Sequence, residues 1–296
     1  VPLHPQVRAV AQAGGVPPPL TVETLPAARA GFVASTLAEA GPGTPLADVS
    51  DVDAYGVPVR IYRPAPGAPV VFYLHGGGWA MGDLDTHDPL CRYLAALSGA
   101  AVVAVDYRLA PEHPFPAASD DVDAAIAWIR REGEALGLDT TRIAIAGDSA
   151  GAHLATTAAR RWRDRGQPFA AQVLICPITD HTAPLSDVDS PGLLEQGLAF
   201  CWDAYAPAGV DRDQPDLSPT SADLTGMPPT LVITAEYDIL RASGESYALS
   251  LAEAGVPAVS VTYQGMIHGF FRRLARFDSA RQAVAQVAAN LRAELS

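Results

Sequence analysis

The stretch Ile143-Ala144-Ile145-Ala146-Gly147-Asp148-Ser149-Ala150-Gly151-Ala152-His153-Leu154 decides the fold. Its first four residues are apolar, alternate Ile with Ala, and read as a buried strand. Gly147 to Gly151 form a Gly-Asp-Ser-Ala-Gly turn, and the Ala-rich segment that follows, through Trp162, has strong helix propensity. Strand, tight turn and helix in that order are the setting of a nucleophile elbow, in which a strained turn lifts a serine hydroxyl above the sheet edge. Gly147 and Gly151 suit such a turn because a Cβ at either position would crowd a neighbouring strand or helix. The pentapeptide alone is weak, since glycine and serine are common in ordinary turns. What lies on either side decides.

Outward from that turn, Val70–Leu74, Ala101–Val105, Val173–Ile175, Thr230–Thr234 and Val259–Thr262 also read as strands. Val49–Ala54 and Val57–Arg63 read as a hairpin around Tyr55-Gly56, which brings the total to about eight. Pro58 requires a strand start or an edge. Helical stretches fall between most strands, at Asp88–Leu97, Ser119–Arg131 and Gly244–Ala254, and another, Ala280–Leu295, follows the last strand. Continuous apolar strands alternating with helices predict an α/β protein with a mostly parallel sheet covered on both faces.

Two regions break the alternation. In residues 1–45, one helix is expected over His4–Ala13, ended by Pro17-Pro18-Pro19. A second starts near Pro26, with Leu25, the Arg29 stem, Phe32, Val33, Thr36 and Leu37 on its apolar side, and ends at Gly41-Pro42-Gly43. Asp180 to Pro219 is too long for a simple crossover and holds one helix candidate, Gly192–Tyr205. The two regions are expected to pack together as a helical cap beyond the carboxyl ends of the strands. The division expected is therefore 1–45 cap segment, 46–180 core, 181–216 cap insertion and 217–296 core.

The chain has 296 residues, 49% apolar and 18% charged, enough to bury a large core. Its formal net charge is -13, and every basic residue other than histidine is arginine. An acidic surface argues against nucleic acid and anionic membranes as partners. Cys91, Cys176 and Cys201 have neither disulfide nor metal-ligand spacing and read as buried thiols. Val1 to Pro5 lack the features of a signal peptide, and no apolar run spans a bilayer, so a cytoplasmic location is expected.

His75-Gly76-Gly77-Gly78-Trp79 follows directly on a buried strand. Three glycines there expose backbone N–H groups with no side chain in the way. No Gly-Lys-Ser/Thr follows, which disfavours a phosphate loop. With Ser149 as nucleophile, Gly77, Gly78 and Ala150 become the candidate oxyanion donors. His75 reads as a brace for this loop. Three histidines lie downstream of Ser149. His153 falls inside the elbow helix, His181 at the start of the excursion, and His268 just past the last strand. His268 is favoured as base, and Asp238 as its acid, with Glu236 and Asp223 as competitors. Asp148 reads equally as a turn former or as an acceptor for loop amides. Trp79, Met81, Phe200, Trp202 and Phe270 are pocket candidates, each equally readable as plain packing.

Three ordered motifs carry a resemblance: His75 to Gly78, Gly147 to Gly151, and the run Tyr-Arg-Leu-Ala-Pro-Glu-His-Pro at Tyr107 to Pro114. From about Pro64 onward the chain resembles family IV bacterial esterases, the hormone-sensitive-lipase-like branch of the α/β-hydrolases. The resemblance implies an α/β-hydrolase fold with a helical cap, and carboxylesterase activity, usually on short acyl chains and often in a homodimer. It implies Ser149, Asp238 and His268 as the triad, with Gly77, Gly78 and Ala150 as oxyanion donors. The family's Asp-Pro-Leu-Arg-Asp-Glu after the acid is here Asp238-Ile239-Leu240-Arg241-Ala242-Ser243, which keeps the acid and loses its neighbours. The expected function is a serine carboxylesterase for short- to medium-chain esters, needing no metal or cofactor. An amidase or formamidase with the same triad is the near alternative. A non-catalytic small-molecule binder is the distant one, because all three triad residues are present.

Overall fold

A computed structural model describes residues 2–13 and 18–296. The apolar runs form the middle of one eight-stranded sheet built from β1 (Asp48–Ala54), β2 (Val57–Arg63), β3 (Ala68–Leu74), β4 (Ala101–Val105), β5 (Leu138–Asp148), β6 (Gln172–Ile175), β7 (Thr230–Tyr237) and β8 (Ala258–Ile267). The spatial order is β1-β2-β4-β3-β5-β6-β7-β8. The β1–β2 and β2–β4 pairings are antiparallel and the rest are parallel. β2 is not an edge, and Pro58 is tolerated because it is the second residue of the strand, where its carbonyl accepts from Asp106 N–H at 3.0 Å.

Eight α-helices are described: α1 (Pro5–Ala13), α2 (Leu25–Ala40), α3 (Leu84–Ser98), α4 (Ala117–Glu132), α5 (Ala150–Asp164), α6 (Glu195–Tyr205), α7 (Arg241–Glu253) and α8 (Asp278–Glu294). α3 begins four residues before the expected Asp88. Asp83 caps it, accepting Thr86 N–H at 2.7 Å while Thr86 Oγ1 accepts Asp83 N–H at 3.0 Å. This reciprocal pair satisfies two otherwise orphaned donors. Pro17, expected to help end the first helix, lies outside the described residues.

Side chains alternate across β3 as strand geometry requires. Val70, Phe72 and Leu74 point into one core with Val122, Ile126 and Ile129 of α4 and with α5. Val71 and Tyr73 point into the other, with Leu90 and Leu94 of α3 and Val284, Val287 and Leu291 of α8. Both faces of the central strands are thus covered, which explains why they carry no polar alternation.

The two irregular regions meet the core differently. α1 starts beside β8, where His4 N–H donates to Gly265 O at 3.1 Å. α2 packs on α3 and on the turn Phe270–Arg272. Leu37, expected on its apolar side, is exposed, whereas Thr36 is sealed and accepts a hydrogen bond from Arg272. Trp202 and Tyr205 of α6 pack on Trp79, just past β3. Among the described residues, no helix is long and apolar enough to cross a membrane.

Candidate active site

Ser149 sits between β5 and α5 at φ +55°, a conformation L-residues rarely adopt. Its N–H is held by Ile175 O at 2.8 Å. A Cβ on Gly151 would overlap the carbonyl oxygen of Leu74, so only glycine lets α5 start this close to the end of β3. The strain is therefore imposed from both sides, by β6 and by β3, and it presents the Ser149 hydroxyl at the carboxyl edge of the sheet.

Asp238 and His268 reach the same edge from the ends of β7 and β8. His268 Nε2 lies 3.0 Å from Ser149 Oγ, and Nδ1 lies 2.7 Å from Asp238 Oδ2. Asp238 is fully buried, and its Oδ1 accepts Leu240 N–H at 3.0 Å. The competing acids are engaged elsewhere. Glu236 Oε2 accepts Gly265 N–H at 2.6 Å, bracing the irregular end of β8, three residues before His268. Asp223 caps a surface turn by accepting Thr225 N–H at 2.9 Å. Of the other histidines, His153 is sealed, with Nε2 on Leu217 O at 3.0 Å and its ring edge-on to Trp79; burial pushes its pKa down to about 4. His181 lies 3.4 Å from Ser218 Oγ.

The glycine loop is fixed by two buried groups. Tyr107 stacks on His75 and donates its hydroxyl to His75 O at 2.6 Å, while His75 Nδ1 meets Gly76 O at 3.0 Å. Burial, and then the neighbouring His87, lowers the His75 pKa to about 4, so this ring is neutral at neutral pH. Asp148 accepts Gly76 N–H at 3.0 Å and Tyr73 Oη–H at 2.9 Å, with His87 Nε2 at 3.3 Å but off the hydrogen-bonding line. Burial would raise this carboxyl, yet His87 and Tyr73 outweigh it and hold the pKa at about 2. Asp148 is thus an acceptor for the loop. Among the described residues, the N–H groups of Gly77, Gly78 and Ala150 have no protein acceptor.

A cavity of about 180 Å³ opens over Ser149 and His268 and is bordered by Gly77 and Gly78. Of the five side chains expected to line it, Met81 does. Trp79 is instead fully buried, stacked on Tyr205 at 4.5 Å, and Trp202 packs on Trp79. Phe200 packs against the core, and Phe270 is sealed between Tyr263 and Phe271. The walls the sequence did not disclose come from both irregular regions, with Leu20 and Phe32 on one side and Leu193, Leu198 and Cys201 on the other. The Leu198/Cys201 spacing on a helix was the available signal; Arg272, also in the wall, had none.

Cys176, Asp238 and His268 bring three possible ligand atoms within 4.8 Å of one another. They suit a metal poorly. Both His268 nitrogens are engaged, and burial, reinforced by Asp238, holds the Cys176 thiol well above its usual pKa and so protonated.

A doubly covered sheet that holds Ser, Asp and His past the ends of β5, β7 and β8 defines an α/β hydrolase. A family model described as alpha/beta hydrolase fold matches residues 71–272, and the chain belongs to that family. It is 40% identical to a carboxylesterase, NlhH, of Mycobacterium tuberculosis over 81% of this chain and 79% of that protein. It is 38% identical to ethyl acetate hydrolase of Pseudomonas putida over 82% of this chain and 80% of that protein. The solved structure of a hyperthermophilic esterase from Pyrobaculum calidifontis superposes with a TM-score of 0.91, at 40% identity and with 99% of each chain covered.

Proposed function

We propose that this chain is a serine carboxylesterase for short- to medium-chain esters that works through an acyl-enzyme on Ser149. The observation that carries the reading is the unbroken line from Asp238 through His268 to Ser149 Oγ at the floor of a cavity edged by free backbone N–H groups. The names of the similar proteins support the ester class.

In the mechanism, His268 Nε2 takes the Ser149 proton as Oγ attacks the ester carbonyl carbon. Asp238 fixes the tautomer with the proton on Nδ1 and stabilises the imidazolium that forms. The N–H groups of Gly77, Gly78 and Ala150 receive the oxyanion. His268 then protonates the leaving alcohol, and water repeats the sequence on the acyl-enzyme, releasing the acid. The described part of the N-terminal region, through residue 45, and residues 181–216 act as the cap, and the cavity of about 180 Å³ that they border limits the acyl chain.

The test is hydrolysis of p-nitrophenyl esters from acetate to palmitate, with Ser149→Ala alongside. Turnover should concentrate on short chains, and the variant should lose roughly 10⁴-fold or more in kcat while keeping the native circular dichroism. Equal turnover by the variant would overturn the role of Ser149. Dominant long-chain activity would overturn the acyl-length assignment.

A further inference from the structure

The cavity wall contains a cation that acyl transfer on Ser149 does not use. Arg272 stands four residues past His268, at the end of the helical turn Phe270–Arg272, and borders the cavity together with Phe32 and Gly269. Only 9% of its surface is exposed. A buried guanidinium is costly unless an anion offsets its lost hydration. Elsewhere many of the partly buried arginines pair with carboxylates, as Arg29 does with Glu112, Arg60 with Asp51 and Arg161 with Asp216, although among the described residues Arg130 and Arg241 have only backbone carbonyl acceptors. Among the described residues, no carboxylate stands within 4.0 Å of Arg272.

Its contacts are neutral. Nη1 donates to Thr36 Oγ1 at 2.9 Å, and the guanidinium carbon lies 4.5 Å from the centre of the Phe32 ring. Among the described residues, Nη1 is the one guanidinium nitrogen with an acceptor, which leaves Nε and Nη2 open. The acids that act on Arg272 at longer range are already engaged, Asp148 by Tyr73 and Gly76, Glu39 by Arg273 at 3.2 Å. Phe32 and Thr36 lie one helical turn apart on α2 and together fix the guanidinium in the wall of the cavity that also holds Ser149 and His268. A planar fork with two open nitrogens in the cavity wall matches a carboxylate better than any neutral group.

We propose that Arg272 binds a free carboxylate on the substrate, making the preferred substrates esters that carry an acid group a few bonds from the scissile carbonyl. This rests on the ester-hydrolase reading above. The net charge of -13 repels anions in general, so a preference for acidic esters would have to arise inside the cavity.

The experiment uses two matched pairs at neutral pH. Acetoxyacetate and acetoxyacetamide differ in charge on the leaving-group side, and monomethyl succinate and methyl succinamate on the acyl side. The readout is the ratio of kcat/KM within each pair, which cancels any common loss from repacking, and p-nitrophenyl acetate reports ester turnover as such. The expected result is at least about a tenfold preference for the acid in one pair, which also assigns the side. That preference should collapse in Arg272→Gln and persist in part in Arg272→Lys. The proposal is overturned if the wild-type enzyme hydrolyses p-nitrophenyl acetate yet favours the amide-bearing ester in both pairs. It is equally overturned if Arg272→Gln lowers both members of a pair alike, the result expected of a purely structural arginine. The wild-type ratio and the lysine variant suffice should the glutamine variant not fold. Absence of any ester turnover would instead remove the reading on which the proposal stands.

Discussion

Ser149 at φ +55° and Asp238 without solvent exposure are both costly placements, and each makes sense only through His268. Asp238→Asn keeps the side-chain volume but lets the amide NH₂ face His268 Nδ1, favouring the wrong tautomer. Its kcat should fall by about 10⁴-fold with the fold intact, measured on p-nitrophenyl acetate with near-UV circular dichroism as the control. Glu236→Gln should cost far less, about tenfold, because Glu236 braces Gly265 and does not touch the imidazole. Equal losses in the two variants would transfer the acid role away from Asp238. The convergence of the three side chains was legible in part, because each follows a recognisable strand and the order Ser, acid, His fits, whereas only the contacts of Glu236 and Asp223 set those two acids apart from Asp238. The pocket was not legible. Trp79 adopts φ +55°, and its ring turns back into the interior to stack on Tyr205. No spacing pattern reveals which way a side chain leaves a glycine-rich turn.

At the scale of elements, the elbow depends on how closely α5 can approach β3. Gly151→Ala places a methyl group on Leu74 O and His75 O, neither of which can move without breaking the sheet edge or the glycine loop. It should destabilise by about 3 kcal/mol in urea unfolding and abolish turnover. Gly31→Ala is the matched control. An added Cβ there meets nothing within 4 Å, and the residue is an exposed helical position of α2. It should stabilise by about 0.5–1 kcal/mol and leave turnover intact. Tyr107 to Pro114 was recognisable only as a familial run, and its physical work became visible in three dimensions. Arg108 pairs with Asp121 at 2.7 Å, Tyr107 holds the His75 carbonyl, and Glu112 takes both ends of the Arg29 guanidinium. Arg29 also donates to Ala80 O and Ala110 O, so one α2 side chain ties the N-terminal region to the segment after the glycine loop. Contacts spanning 51 and 81 residues leave no local trace in a sequence.

The whole molecule carries its acid sensitivity in groups buried beside the site. His75 and His153 are both sealed from water, and burial lowers each from the ordinary 6.5 to about 4. Between those values the unfolded chain binds protons that the native protein refuses, so stability rises with pH across the window and falls as pH drops through it. Each histidine contributes on the order of 3 kcal/mol summed across that window, because neither is relieved by solvent. Asp148 extends the effect downward. Its native pKa of about 2 lies below the ordinary 3.8, so the stability it adds is present above 3.8 and lost as pH falls toward 2. These contributions have the same sign. Asp106, pushed up to about 6 by burial, opposes them between 3.8 and 6. It is one partly exposed group against two sealed histidines, so the acid side stays the weak one. The urea midpoint should therefore be lower at about pH 4.5 than at about pH 7.5, and the loss should be reversible on neutralisation. His153→Gln can still donate to Leu217 O but cannot titrate. It should flatten the slope between about pH 6.5 and 4 even where it lowers stability at neutral pH. Identical pH profiles for the wild-type protein and His153→Gln over this range would mean that His153 binds protons in the native state, and the account of it as a sealed, neutral ring would fall.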